Sequence, residues 1–362
     1  MDAPAPSLAL GPPTLVPPEP RLIFATELDG TSLATLFEQY QLLHTFAQHG
    51  YGLAMAIGDM SPIRAALVRQ LNAHQIYTVA WMLLPAVDGY GFNLQNYPQA
   101  IAHYHAFREW ANTNALHFAA VGMHMLPPAD DLSRLHHLRL RDVGRWLIRM
   151  HDNALFEPGR TAYLRLIDDM HHDGYAVHTY QLPLMVDDRR AGTSFVQYAL
   201  DVPDLPVDLE VLMCHSSLPI EALGNDMGGA LISSYGMAAD CIGIGYTHSA
   251  TMRGADTPQL AEVESLALEW AALERDMLLA TRYTDTIYIF SLEGCVAQHM
   301  LPRIATINWD KEPRVTLRPR LVVRTLRFAL LLVLLIARHF SLMLSWLGWL
   351  LFLVVLLRRR VR

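Results

Sequence analysis

The chain has 362 residues, a mean hydropathy of +0.18 and a formal net charge of −7, enough length for one large domain of about 250 residues with something attached. The charge is unevenly divided: from Arg314 onward there are ten arginines and no acid, so the preceding body holds 18 basic against 35 acidic residues. A body that acidic repels a polyanion, which excludes nucleic acid as its partner.

The first twenty residues carry seven prolines and lack the basic flank and apolar core of a signal peptide, so they read as an extended arm on a cytoplasmic body. Residues 21–28 then read as a strand, followed by a helix over 31–49 in which Leu33, Leu36, Phe37, Tyr40 and His44 share one face. A second strand, 51–57, runs into Ser61-Pro62, a helix cap and first-turn proline opening a helix to about 74. The third strand is 76–84, and a loop containing Asp88-Gly89-Tyr90-Gly91 leads to a helix over 97–114.

Residues 117–128 form the central element. The run is apolar, too short for a buried helix and stopped by two prolines, which describes a strand covered on both faces. Phe118, Ala120, Gly122 and His124 share one parity, so that face is mostly small and ends in an imidazole. A long helical insert follows over 132–153 and 160–173, broken at Pro158-Gly159, and then strands at 174–182, 207–214, 240–246 and 285–292. Helices are expected between them at 190–200, 220–238 and 259–282. Cys214, Cys241 and Cys295 are too sparse for a disulfide framework and read as buried thiols.

Eight strands alternating with helices predict an α/β fold, a (β/α)8 TIM barrel over 21–312. A doubly wound open sheet is the alternative, but it calls for a glycine-rich phosphate turn opening an early helix, and Gly243 and Gly245 lie inside a strand. Beyond the barrel the pattern divides into a basic juxtamembrane linker at 313–327, a membrane-anchoring helical segment at 328–357 and a basic tail at 358–362. Residues 340–357 are 18 uncharged, mostly apolar positions, near the minimum for a bilayer span, so the expected partner is a lipid bilayer. A buried terminal helix is the competing reading, and the topology of the tail stays open between a single span, a hairpin and a re-entrant wedge.

In such barrels chemistry sits where strands run into the following loops. Those positions hold Glu27, Asp59, His124, Tyr180, His215, Thr247 with His248, and Glu293. Glu27 and Glu293, on strands that neighbour each other in a closed ring, are the catalytic candidates, since two nearby carboxylates split their pKa values into an acid and an ionised partner. Asp59, His124, Tyr180 and His215 are the substrate-binding candidates, although Asp59 has the opposite parity to Ala54 and Ala56.

Residues 21–310, with the carboxylate in Phe290-Ser291-Leu292-Glu293-Gly294, resemble the TIM-barrel glycoside hydrolases. The resemblance implies a scaffold and a carbohydrate-sized cleft. It departs at strand four, where chitinase-type hydrolases carry a run of acids ending in the catalytic glutamate and this chain has Val121-Gly122-Met123-His124. The expectation is a membrane-anchored barrel binding a sugar-like ligand at an acidic cleft and needing no cofactor. Its alternatives are a catalytically silent scaffold barrel and a metal-dependent hydrolase or isomerase using His124, His215, His248, Glu27 and Glu293, against which the first strand offers no His-x-His pair.

Overall fold

The structure, a computed structural model, describes residues 19–137, 145–146, 149, 152–216, 227, 229–245, 247, 267–339 and 348–349. Eight parallel strands close into a ring: β1 (Arg21–Thr26), β2 (Gly52–Ala56), β3 (Thr78–Met82), β4 (Ala120–His124), β5 (Ala176–Gln181), β6 (Leu209–Met213), β7 (Cys241–Gly245) and β8 (Thr286–Phe290). Each pairs with its successor, and β8 returns to β1 in register from Arg21↔Thr286 to Ala25↔Phe290. The open-sheet alternative is thereby removed.

Period-two alternation sends side chains to two cores. Leu22, Phe24, Leu53, Met55, Val121 and Met123 face the helix layer, whereas Ile23, Ala25, Ala54, Ala56, Val79, Trp81 and Ala120 face the lumen. Both sets are buried, which is why the strands read as continuous apolar runs.

The first helical layer follows its caps. Asp29 opens α1 (Gly30–Gln39) by accepting the Thr31 and Ser32 N–H groups at 2.9 and 3.0 Å. Gln41, at φ 51°, then breaks the single helix expected over 31–49 and starts α2 (Leu42–His49), which turns Leu42 and Phe46 into the core. Ser61 caps α3 (Pro62–Ala73) as expected. After α4 (Tyr97–Thr113) and α5 (Ala129–His137), the expected break at Pro158-Gly159 is instead the first turn of α6 (Phe156–His172), where a proline lacks no needed N–H. Gly192, at φ +64°, splits the next helical stretch into α7 (Leu184–Ala191) and α8 (Phe195–Leu200). Later helices are α9 (Ala230–Tyr235), α10 (Trp270–Ala280), α11 (Leu292–Ala297) and α12 (Leu301–Ile304). Cys214, Cys241 and Cys295 are free and buried.

The carboxyl-terminal helix, α13 (Leu317–Arg338), runs without interruption across position 327, where a linker was expected to give way to an anchor. It lies on the barrel against α7 and α9. Arg327 reaches the fully buried Asp187 of α7 at 2.7 Å, and Arg338 donates to the Ala191 carbonyl at 2.6 Å, satisfying an end-of-helix acceptor. Among the described residues no helix is long and apolar enough to cross a membrane. Apart from Gly348 and Trp349, residues 340–357 lie outside the described residues.

Candidate functional site

The lumen is filled by pairing large rings with missing side chains. Trp81 on β3 is in register with Gly122 on β4, and a Cβ at Gly122 would stand 2.5 Å from the Tyr180 ring. Glycine therefore lets Trp81 and Tyr180 meet, with centroids 5.5 Å apart. Phe290 lies 5.9 Å from Trp81, and Tyr288 lies 5.5 Å from Tyr180. Deeper in the lumen, His178 Nδ1 and the Tyr288 hydroxyl are 2.9 Å apart. Burial lowers His178 to about 4, so it is neutral at pH 7.

Glu27 stands above this aromatic floor, just past the end of β1 and partly exposed. The Tyr90 hydroxyl donates to its Oε1. Tyr90 takes a left-handed conformation, φ 61°, on a loop that the protein braces at several points. Asn96 donates to the Asp88 and Gly91 carbonyls at 2.9 and 2.8 Å, and the Leu84 N–H donates to the Tyr90 carbonyl at 2.8 Å. Phe92 then bridges to β4, donating to the His124 carbonyl at 2.7 Å and accepting from Leu126 at 3.1 Å. Tyr90 is thus fixed between the ends of β1 and β4, with its ring 5.9 Å from that of His124. A tyrosine held in a sparsely populated backbone region by its surroundings is the kind of strain that clusters at functional sites.

Glu293 reaches the site by a route the sequence reading missed. Expected just past the end of strand eight, it lies in the first turn of α11, because β8 ends at Phe290 and Ser291 caps the helix by accepting the Gly294 N–H at 3.3 Å. Thr247, beyond β7, clamps this turn: its N–H donates to the Phe290 carbonyl at 3.0 Å and its hydroxyl to the Ser291 carbonyl at 2.7 Å. A Cβ at Gly294 would come within 2.3 Å of Thr247 Oγ1, so that close approach requires glycine. Glu293 is near enough for its charge to act on Glu27 and raise its pKa. Desolvation, reinforced by that like charge and opposed by the Tyr90 hydrogen bond, pushes Glu27 up from 4.5 to about 7.

His124 ends β4 inside the lumen, with its ring 5.2 Å from Trp81, and His215 lies just beyond β6. Burial lowers His124 to about 3, helped by the proximity of His215, and lowers His215 to about 4. His124 Nδ1 and Trp81 Nε1 are buried and make no hydrogen bond among the described residues. Tyr180 belongs to the floor beneath Glu27. Asp59 does not join this group. It accepts from Arg64 at 2.6 Å and from the Gly30 N–H at 2.9 Å, tying the β1–α1 loop to α3. Burial opposes its charge, yet the hydrogen bonds and charge of Arg64 win and hold its carboxyl well below the usual range. Asp59, three residues beyond β2, continues the parity opposite to the lumen-facing Ala54 and Ala56, which carries that outcome. His248 lies outside the described residues, and among those described no three His, Cys, Asp or Glu side chains gather as a metal site would require.

Sequence reading passed over Tyr90 and Trp81. The signal for Trp81 was present, a bulky residue on the inner parity of β3 beside the glycine of β4. That for Tyr90 was only its place in a turn.

Glu27 and the two histidines tilt stability in opposite pH directions. Glu27, raised from 4.5 to about 7, favours the folded state below pH 4.5 and loses that contribution as pH rises through 7. His124 and His215, depressed from 6.5 to about 3 and about 4, favour it above pH 6.5 and lose that contribution as pH falls toward 4. Glu27→Gln is expected to gain roughly 1–3 kcal/mol relative to the parent between pH 5 and 8, read from thermal midpoints across that range. A variant whose midpoint tracks the parent at every pH would show that Glu27 does not titrate there.

No family model matches the sequence, and no curated protein matches it. Several solved structures align with it at low identity. A GH18 chitinase from Pseudoalteromonas aurantia aligns with TM-score 0.47 and 8% identity over 79% of this chain and 98% of its own. A chitinase from Chromobacterium violaceum gives 0.40 and 11% over 78% and 99%, and an L-ribulose 3-epimerase gives 0.36 and 12% over 90% and 98%. The chain is a (β/α)8 barrel. That conclusion rests on its own closed ring of strands.

Proposed function

We propose that the barrel mouth binds a sugar-like, polyhydroxylated ligand, with Glu27 as the proton-donating group and Glu293 as its ionised partner. We further propose that residues 340–357 tether the barrel to a bilayer. The observation that carries the first reading is Glu27, raised to about 7, braced by Tyr90, within reach of the charge of Glu293 and on the lumen-facing parity of β1, in a barrel whose lumen holds the Trp81, Tyr180 and Phe290 rings. A carboxyl poised near neutrality can both donate and accept a proton at pH 7. Apolar ring faces suit the C–H faces of a sugar, and a ligand hydroxyl reaching Trp81 Nε1 or His124 Nδ1 would relieve an unmade hydrogen bond costing about 1–3 kcal/mol.

Whether binding leads to hydrolysis is a separate matter. His124, neutral at pH 7, ends β4, the strand on which the resemblance to chitinase-type barrels would put a glutamate. This favours binding, or chemistry confined to the Glu27–Glu293 pair, over chitinase-type hydrolysis. A panel of mono- and oligosaccharides is expected to contain a member that raises the thermal midpoint of the purified chain, since a ligand specific to the folded state stabilises it. At pH 8, where the Glu27 carboxyl is ionised and accepts a charge-assisted hydrogen bond from a ligand hydroxyl, Glu27→Gln should weaken that ligand about tenfold or more. A panel without effect, or a shift that Glu27→Gln leaves untouched, rules the reading out.

A further inference from the structure

A cavity whose lining includes neither Glu27 nor Glu293 lies on the outer wall of the barrel. It is a groove of about 790 Å³ between α13 and the α7 and α9 helices, lined in part by Arg189, Arg190, Ser234, Met237, Arg324 and Arg327. Two of these arginines are occupied: Arg189 by Asp204 and Glu210, and Arg327 by Asp187. Arg190 and Arg324 are exposed and have no acidic partner among the described residues. The buried Ser234 hydroxyl in the groove wall makes no hydrogen bond among the described residues.

The rim of the groove is apolar. Phe328 and Met237 are 69% and 92% exposed. Along α13 the exposed Leu317, Leu321, Phe328, Leu332 and Leu335 fall on one face at helical spacing, and Arg324 lies in the same stripe. Two unpaired cations beside exposed rings and aliphatic chains match a ligand with an anionic head and an apolar body. The chain beyond the groove indicates its source: α13 leads into 18 uncharged residues at 340–357 and then four arginines, and no acid occurs after Glu312. A tail entering a bilayer there would hold α13 and its groove close to the membrane surface.

We infer that this groove takes the phosphate-bearing headgroup of an anionic phospholipid, the phosphate between Arg190 and Arg324 and the acyl chain along Phe328 and Met237. The inference rests on the tether proposed for residues 340–357. Occupying the groove would fix the side of the barrel bearing α7 and α9 against the membrane, giving the tethered barrel one orientation.

The test is co-flotation of the full chain with phosphatidylcholine vesicles, with and without phosphatidylglycerol. The parent should bind both and prefer the anionic vesicles. Arg190→Gln/Arg324→Gln should bind phosphatidylcholine unchanged and lose about thirtyfold of that preference, as expected for removing two cations near a charged surface. Both residues are unpaired, so the thermal midpoint of the variant should match the parent. Arg314→Gln/Arg318→Gln removes the same charge outside the groove and should cost clearly less. Binding to both vesicles with equal losses in the two double variants overturns the inference and leaves the tether standing. Binding to neither vesicle ends both. Stabilisation by inorganic phosphate that depends on Arg190 and Arg324, without any preference for anionic vesicles, assigns the groove to a soluble phosphate and also overturns it.

Discussion

Arg327→Met is expected to lower the stability of the full chain by about 3–5 kcal/mol, the usual cost of stranding one member of a buried ion pair. Asp187 has no exposed surface, and Arg327 engages it through Nε at 3.1 Å and Nη2 at 2.7 Å. The same guanidinium lies 3.8 Å from the centre of the Tyr235 ring, whose hydroxyl donates to Asp187 at 2.7 Å, and also donates to the Ser234 carbonyl. Methionine fills much of the volume but leaves the carboxylate with one hydroxyl for company. Removing both charges in Arg327→Met/Asp187→Leu should recover most of the loss, because an apolar pair in place of a buried ion pair is often neutral or better. Thermal midpoints of the parent, two single variants and the double variant separate the terms. A single Arg327→Met variant within about 1 kcal/mol of the parent would mean that α13 does not hold the barrel through this contact.

That contact shows where the sequence could not be read. The ten arginines from Arg314 onward look alike, and their charge without acids suggested a uniform juxtamembrane strip. The counter-charge of Arg327 is 140 positions earlier, on α7, and no local pattern joins the two. By contrast, the strands were legible because a parallel ring buries both faces, so each reads as a short apolar run whose boundaries shift by only one to a few residues. The broken helices were less so: a left-handed Gln41 has no compositional mark, whereas Gly192 at least had one.

The candidate site divides in the same way. Glu27 and His124 followed from counting parity out to the strand ends, and the structure places both at the mouth. Glu293 was right in neighbourhood and wrong in element, because counting on through Ser291 assumes the strand continues, while Ser291 starts a helix instead. Asp59 had the correct chain position and the wrong face, and its arginine five residues later claimed it. Tyr90 depends on a loop folded back onto β4, a non-local fact that turn residues alone do not encode.

Trp81 carries the second large effect, and it joins stability to the mouth. Trp81→Ala is expected to cost about 3–5 kcal/mol, from lost burial and an unfilled cavity that the strands cannot collapse around. Its ring contacts His124, Tyr180 and Phe290 at 5.2, 5.5 and 5.9 Å between centroids, and its strand neighbour Gly122 supplies no side chain to fill the space. Trp81→Phe separates the parts of that cost. Among the described residues the indole N–H makes no hydrogen bond, so losing it strands no partner there, and phenylalanine keeps a ring over Gly122; a loss nearer 1 kcal/mol is expected. The two variants should also differ in function. Without the floor, any saccharide that stabilises the parent should fail with Trp81→Ala, and Trp81→Phe should retain its apolar contact while losing the hydrogen bond available from Nε1. Equal midpoints for Trp81→Ala and the parent would show that the rings do not fill the lumen. A saccharide that binds the alanine variant as well as the parent would place the ligand elsewhere than above Trp81.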